Sequence, residues 1–185
     1  YWYHPHIRTS EAVEAGLYGA ILVRDPVGEA GLGLPAIERV VILDDIALDQ
    51  NNQIETHFPS DPLEKIEQTL NGRVGNTLLI NGQVAPVALP VTNGLPERWR
   101  LLDVANTRFF RVSFEDSASG VPQTLYRIGG DGGLLEAPQL KPSVSVIVPP
   151  PGGGWSHASS NDPDEGIFLT PGERADVVWT PDGLN

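Results

Sequence analysis

Apolar runs in this chain are short, and residues that cannot continue a helix interrupt them repeatedly. Segments 39–43, 77–80, 84–92, 98–104 and 109–114 are strand candidates, with later ones near Tyr126, Val146, Phe168 and Val178. Asn81-Gly82 and Asn93-Gly94 lie between them, pairs that accept positive φ and close tight hairpins. The 20 glycines and 17 prolines make up one residue in five of the 185. Punctuation that dense favours many short strands over helices, so the expected class is all-β, a Greek-key sandwich.

One helix stands out against this background. Asp61 is placed to cap it, Pro62 occupies the first turn, Glu64 completes a capping box and Gly72 lies just past the end. Leu63, Ile66 and Leu70 then fall on one face, a stripe expected to dock on the sandwich. Residues 1–26 read as strand, helical turn and strand, with Gly16 at the helix terminus and Asp25-Pro26 ending the second strand. Residues 28–35 carry three glycines, a proline and little bulk, the composition of a linker.

Composition excludes several functions. A net charge of −12 opposes contact with nucleic acid phosphates. With no cysteine, the chain has no disulfide, thiol nucleophile, zinc–thiolate cluster or blue-copper centre. No apolar run approaches the roughly 18 residues that a spanning helix requires. The chain has no methionine and begins at Tyr1, which suggests a piece of a longer protein.

Chemistry concentrates at Tyr1-Trp2-Tyr3-His4-Pro5-His6. In an extended segment His4 and His6 share a face, with Cα atoms roughly 6.5–7 Å apart. That is wide for two imidazoles on one ion, and suits ligands of two neighbouring metals. His57 and His157 stand alone in polar or glycine-rich surroundings and read as solvated or structural. Gly129-Gly130-Asp131-Gly132-Gly133 lacks the residues of a phosphate or calcium loop and reads as a turn. Asp44-Asp45 and 162–165 read as acidic loops, and Glu173, Arg174 and Asp176 as a surface ion-pair group.

The histidine motif continues through Glu11-Ala12-Val13-Glu14-Ala15-Gly16-Leu17-Tyr18-Gly19-Ala20 to Arg24-Asp25-Pro26. Further on come Gly72-Arg73-Val74-Gly75-Asn76-Thr77-Leu78-Leu79-Ile80-Asn81-Gly82, Glu97-Arg98-Trp99-Arg100-Leu101-Leu102, Ala105-Asn106-Thr107-Arg108-Phe109-Phe110 and Pro171-Gly172-Glu173-Arg174-Ala175-Asp176-Val177-Val178. In this order the blocks resemble the multicopper oxidases, bacterial laccase-like and copper-efflux-type enzymes above all. The resemblance implies a cupredoxin-like fold, with 1–27 the remnant of a first domain, 28–38 a linker and 39–185 a copper-free middle domain truncated at its end.

It also implies that His4 and His6 each ligate one copper of the type 3 pair in a trinuclear cluster. A missing third domain completes that site. The whole oxidase would take electrons from a small reducing substrate, phenolic or metal ion, and reduce O2 to water in the periplasm or outside the cell. The fragment alone would be inactive. Two other readings remain open. One is a copper-free scaffold of the cell-division type, in which the His-x-His pattern is broken, unlike here. The other is a two-domain oxidase or nitrite-reductase-like protein.

Overall fold

The strand at the centre of the molecule, β6 (Glu97–Asp103), alternates two kinds of side chain. Trp99 and Leu101 face a hydrophobic core, while Arg98 and Arg100 face the opposite side and find carboxylates there. The structure is a computed structural model that describes residues 1–55, 61–116, 119–142 and 166–181. His57, His157, the strand expected near Val146 and the acidic loop at 162–165 lie outside the described residues.

Around β6 are β3 (Ile37–Ile46), β4 (Thr77–Ile80), β5 (Gln83–Val84), β8 (Thr124–Gly130), β9 (Gly133–Pro142) and β11 (Arg174–Trp179). They form one sheet in the order β5-β4-β3-β6-β11-β8-β9. Neighbours run antiparallel except β3 and β6, which pair in parallel from Ile37↔Glu97 to Leu43↔Asp103. A parallel pair requires a crossover, and the excursion through β4 and β5 supplies it. A second layer is the hairpin-like pair β7 (Phe110–Val112) and β10 (Ile167–Leu169). Val41, Leu43, Trp99, Leu101, Leu125, Ile167, Leu169, Ala175, Val177 and Trp179 form the core between the layers. The all-β sandwich expected from the turn density is the observed architecture.

Local chemistry explains the element ends. Asn81 and Gly82 both take positive φ, 51° and 74°, in the β4–β5 turn. The strand expected over 84–92 stops after Val84, because Pro86 and Pro90 have no N–H for a ladder. Leu89 and Val91 pack on the core from irregular backbone instead. The turn expected at 129–133 is the Asp131-Gly132 tip of the β8–β9 hairpin. Gly75 is dictated by space: a Cβ there would lie 2.5 Å from the Ile46 backbone.

The expected helix is present as α3 (Pro62–Asn71), and Asp61 accepts from the N–H of Leu63 at 2.7 Å and of Glu64 at 3.1 Å. Its apolar stripe does not dock. Leu63 is 77%, Ile66 55% and Leu70 77% exposed, and α3 has no buried residue. The helical period was legible, but among the described residues no apolar face covers this helix.

Two further corrections concern charge. Asp44 and Asp45 lie in β3 and are 1% and 4% exposed, so they are interior groups and no acidic loop. Their hydration is replaced by hydrogen bonds from the backbone and from Arg108. Glu173, Arg174 and Asp176 do not pair with one another. Glu173 meets Arg127 at 3.3 Å, Arg174 meets Asp131 at 3.2 Å and Asp176 meets Arg98 at 2.5 Å.

The N-terminal segment packs across the sheet. It consists of β1 (Trp2–Tyr3), α1 (Thr9–Glu14) and β2 (Gly19–Ala20), with β1 and β2 paired. Gly16 ends α1 with φ 88°. The second strand stops early, and Asp25 caps a short helix, α2 (Pro26–Glu29), by accepting from the Gly28 N–H at 2.9 Å. β3 begins at Ile37, two residues inside the stretch read as linker.

Candidate metal centre and the polar seam beside it

His4 and His6 lie just beyond β1, because Pro5 between them has no N–H to extend the pairing. The two imidazoles nevertheless come together, with ring centroids 4.7 Å apart and planes inclined by 28°. Trp2 stacks on the other face of His4 at 4.1 Å and 17°. His4 is half-buried and His6 is exposed. His4 Nδ1 is buried and has no hydrogen-bond partner. Buried polar nitrogens are nearly always satisfied, and among the described residues nothing satisfies this one.

The stack is backed from the other end of the chain. Gly172, at φ 83°, sits against the Trp2 indole, and a Cβ there would lie 3.5 Å from the ring. Three flat groups in succession, anchored on a turn of the sandwich, therefore hold the imidazoles. Among the described residues no group of three or more His, Cys, Asp or Glu side chains is placed to hold an ion. The donor chemistry fits copper, which neutral imidazole suits, but only as part of a ligand set.

Sequence reasoning missed the seam that fixes this segment to the sandwich. The Glu14 carboxylate accepts from Arg73 Nε at 2.9 Å and from the Ala47 N–H at 3.1 Å, with both charged side chains buried. Arg73 also donates to the Glu55 carbonyl at 3.0 Å. Asn106 Nδ2 donates to the Ser10 carbonyl at 3.1 Å. Asp45 Oδ2 accepts from the Gly75 N–H at 2.6 Å and from Arg108 Nε at 2.7 Å, and Arg108 reaches on to the Gly75 carbonyl. One signal was available. Arg73, Gly75 and Arg108 sit inside motif blocks whose charged residues have no surface role.

Asp44 and Asp103 complete the seam. The Asp45 N–H donates to Asp44 Oδ1 at 2.8 Å. Asp103, fully buried at the end of β6, accepts from the Ala105 N–H at 2.9 Å. Burial pushes Asp44 up to about 6 and Asp103 up to about 7, reinforced by the neighbouring carboxylates. Burial, then the Asp44 charge, raises the Tyr18 hydroxyl as well.

On the outer face of the sheet a second ionic group joins the segment after β2 to the strands. Arg24 meets Glu38 at 2.7 Å, Glu29 meets Arg98 at 3.1 Å and Arg100 meets Glu38 at 2.9 Å. Above it Tyr1, Ile21, Val23, Leu102 and Leu134 line a cavity of roughly 150 Å3. No helix is long and apolar enough to cross a membrane among the described residues.

No family model matches the chain. Individual proteins do. It is 32% identical to the cell division protein FtsP of Escherichia coli over 96% of its own length and 35% of the relative's. It is 31% identical to a laccase of Bacillus subtilis over 72% of the chain and 26% of the laccase. In structure it matches the McoA multicopper oxidase of Aquifex aeolicus with a TM-score of 0.68 at 24% identity, over 97% of this chain and 33% of that one. The chain thus spans about a third or less of each protein it matches, and the likeness to McoA gives a cupredoxin-like sandwich. With the motif blocks in order, the chain is similar over most of its length to multicopper oxidases, a laccase among its relatives in sequence and McoA among its neighbours in shape.

Proposed function

We propose that this chain is the part of a multicopper oxidase that contributes His4 and His6 to the oxygen-reducing copper cluster, one imidazole to each copper of the type 3 pair. The observation that carries the reading is the stacked imidazole pair with the orphaned His4 Nδ1. In this reading residues 1–27 close a first cupredoxin domain, 28–38 link it onward and 39–185 form a copper-free middle domain. Copper bound at the pair supplies one-electron chemistry that couples oxidation of a small reducing substrate to reduction of O2 to water. His4 and His6 bind as neutral imidazoles, and the Trp2 stack fixes the His4 ring orientation. An upstream His-x-His and motifs in a third cupredoxin domain provide the remaining ligands, and the whole protein works in the periplasm or outside the cell.

A second reading is favoured by the FtsP match, which covers more of the chain than the laccase match does. Under it, the longer protein is a scaffold without catalysis. One experiment separates the two. The full-length protein is loaded with copper, and copper content, blue colour and O2 uptake with a phenolic donor are measured for the parent and for His4→Ala/His6→Ala. The oxidase reading expects O2 uptake in the parent, and in the variant its loss by two orders of magnitude or more with the blue colour retained. Normal uptake in the variant at full copper content would overturn the ligand assignment. A parent that binds no copper would establish the scaffold.

A further inference from the structure

The outer face of the sheet holds two voids with a common boundary. One is the cavity of roughly 150 Å3 lined by Tyr1 and Ile21, and the other is a cleft of roughly 410 Å3 against Leu34, Pro35 and Ala36. Glu29 and Arg98 line both. Their ion pair, at 3.1 Å, stands where cavity and cleft meet.

The charges around the two voids balance. Arg24, Arg98, Arg100 and Arg174 face Glu29, Glu38, Asp131 and Asp176, four cations against four carboxylates. The carboxylates are not held equally. Glu38 accepts from Arg24 at 2.8 and 2.7 Å and from Arg100 at 2.9 Å. Asp176 accepts twice from Arg98, and Asp131 takes the Arg174 N–H at 2.7 Å with its guanidinium at 3.2 Å. Among the described residues the Glu29 side chain accepts one hydrogen bond, from Arg98, and lies 3.9 Å from Arg100. It is carried on α2, four residues long with none buried. The Arg98 side chain is 4% exposed, and Arg100 Nε is buried without an acceptor. The cations are fixed in the sheet, and one of their carboxylates is loosely held.

We propose that Glu29 occupies the carboxylate position of a ligand site, and that a small carboxylic acid with a compact apolar body, of benzoate size, binds the cavity by displacing it. The body lies among Tyr1, Ile21, Leu102 and Leu134, and a cavity of this volume holds a benzene-sized group. The ligand carboxylate takes the place of Glu29 at Arg98 and Arg100, whose planar forks suit it. Displacement supplies the selectivity. While Glu29 stays, an added anion finds every cation committed, and once Glu29 swings out the site carries one positive charge in excess. Asp176 keeps Arg98 paired throughout, so the sheet is undisturbed. A neutral ligand gains nothing from the exchange. The site is independent of copper and of the oxidase reading.

The full-length protein is titrated at pH 7 with benzoate, with benzyl alcohol as the ring without the charge, and with acetate as the charge without the ring. The methyl resonances of Ile21, Leu102 and Leu134 report binding. Benzoate is expected to shift them, with a dissociation constant about tenfold or more below those of both controls. Glu29→Ala removes the competing carboxylate and is expected to tighten benzoate about fivefold, with benzyl alcohol unchanged. That variant lies on an exposed helix and leaves the core intact. Leu134→Trp fills the cavity and is expected to abolish the Ile21 and Leu102 shifts. Benzyl alcohol or acetate binding as tightly as benzoate would overturn the proposal. So would benzoate that leaves the methyls unmoved, or that binds Glu29→Ala no more tightly than the parent.

Discussion

β6 and α3 exchange the roles that their compositions suggest. β6 spells Glu-Arg-Trp-Arg-Leu-Leu-Asp, four charges in seven residues, and it is the most buried element of the molecule. α3 carries a clean apolar stripe and buries no residue. The difference lies in partners. Arg39 meets Glu97 at 2.6 Å, Arg98 meets Asp176, and Arg100 meets Glu38, so three of the four charges on β6 enter the interior already paired, and Asp103 takes the Ala105 N–H. The α3 stripe has the right period, but among the described residues no surface meets it. Periodicity reports which residues share a face, and only a neighbour decides whether that face is covered.

The sharpest way to break this comparison is Glu97→Ala. It strands Arg39 and leaves Trp99 Nε1, which donates to Glu97 Oε2 at 2.7 Å, without an acceptor. Removing one partner of a buried pair costs about 3–5 kcal/mol, to be read from urea unfolding. A loss below about 1 kcal/mol would mean that the polar side of β6 is incidental to stability.

A smaller effect is expected at the helix cap. Asp61→Ala removes two hydrogen bonds and about 1 kcal/mol of helix stability. Because α3 is attached to the sandwich by so little buried surface, the cost should appear as faster exchange of the 63–71 amides and leave the global unfolding midpoint in place. A fall in the midpoint would show that α3 is coupled to the core. The smallest expected change is Leu70→Ser, within about 0.5 kcal/mol in the same unfolding assay. A loss of 2 kcal/mol there would mean that the stripe is covered after all.

Much of the fold was legible because it is written locally. The Asn81-Gly82 hairpin, the Asp61 cap and the alternation in β11 depend on residues a few positions apart, where sterics and short hydrogen bonds decide the outcome. The parallel β3–β6 pair was not legible, since its register is set between segments 60 residues apart and leaves no local trace. Asp44 and Asp45 were misplaced for a related reason. Aspartate in isolation prefers water, and the donors that hold Asp45 inside, Gly75 and Arg108, come from distant parts of the chain. For the candidate site, the sequence placed His4 and His6 on one face through an extended backbone. In the structure the strand ends at Tyr3, and ring stacking brings the imidazoles together. The orphaned nitrogen and the Trp2 support had no sequence signal at all.

Gly172 acts on that pair as a set screw. It lies 168 positions from His4, carries no side chain, and places its backbone against an indole while its N–H donates to the Asp103 carbonyl. Yet every ring in front of it rests on the one behind, and since a Cβ at 172 would meet the Trp2 ring at 3.5 Å, an ordinary contact, it is the φ of 83° that asks for glycine at the back of the stack. In a mutational scan this residue would resemble a ligand by its phenotype and a turn glycine by its chemistry. The N-terminal segment and the turn before β11 are thus tied at this point, since Trp2 lies between Gly172 and the His4 ring.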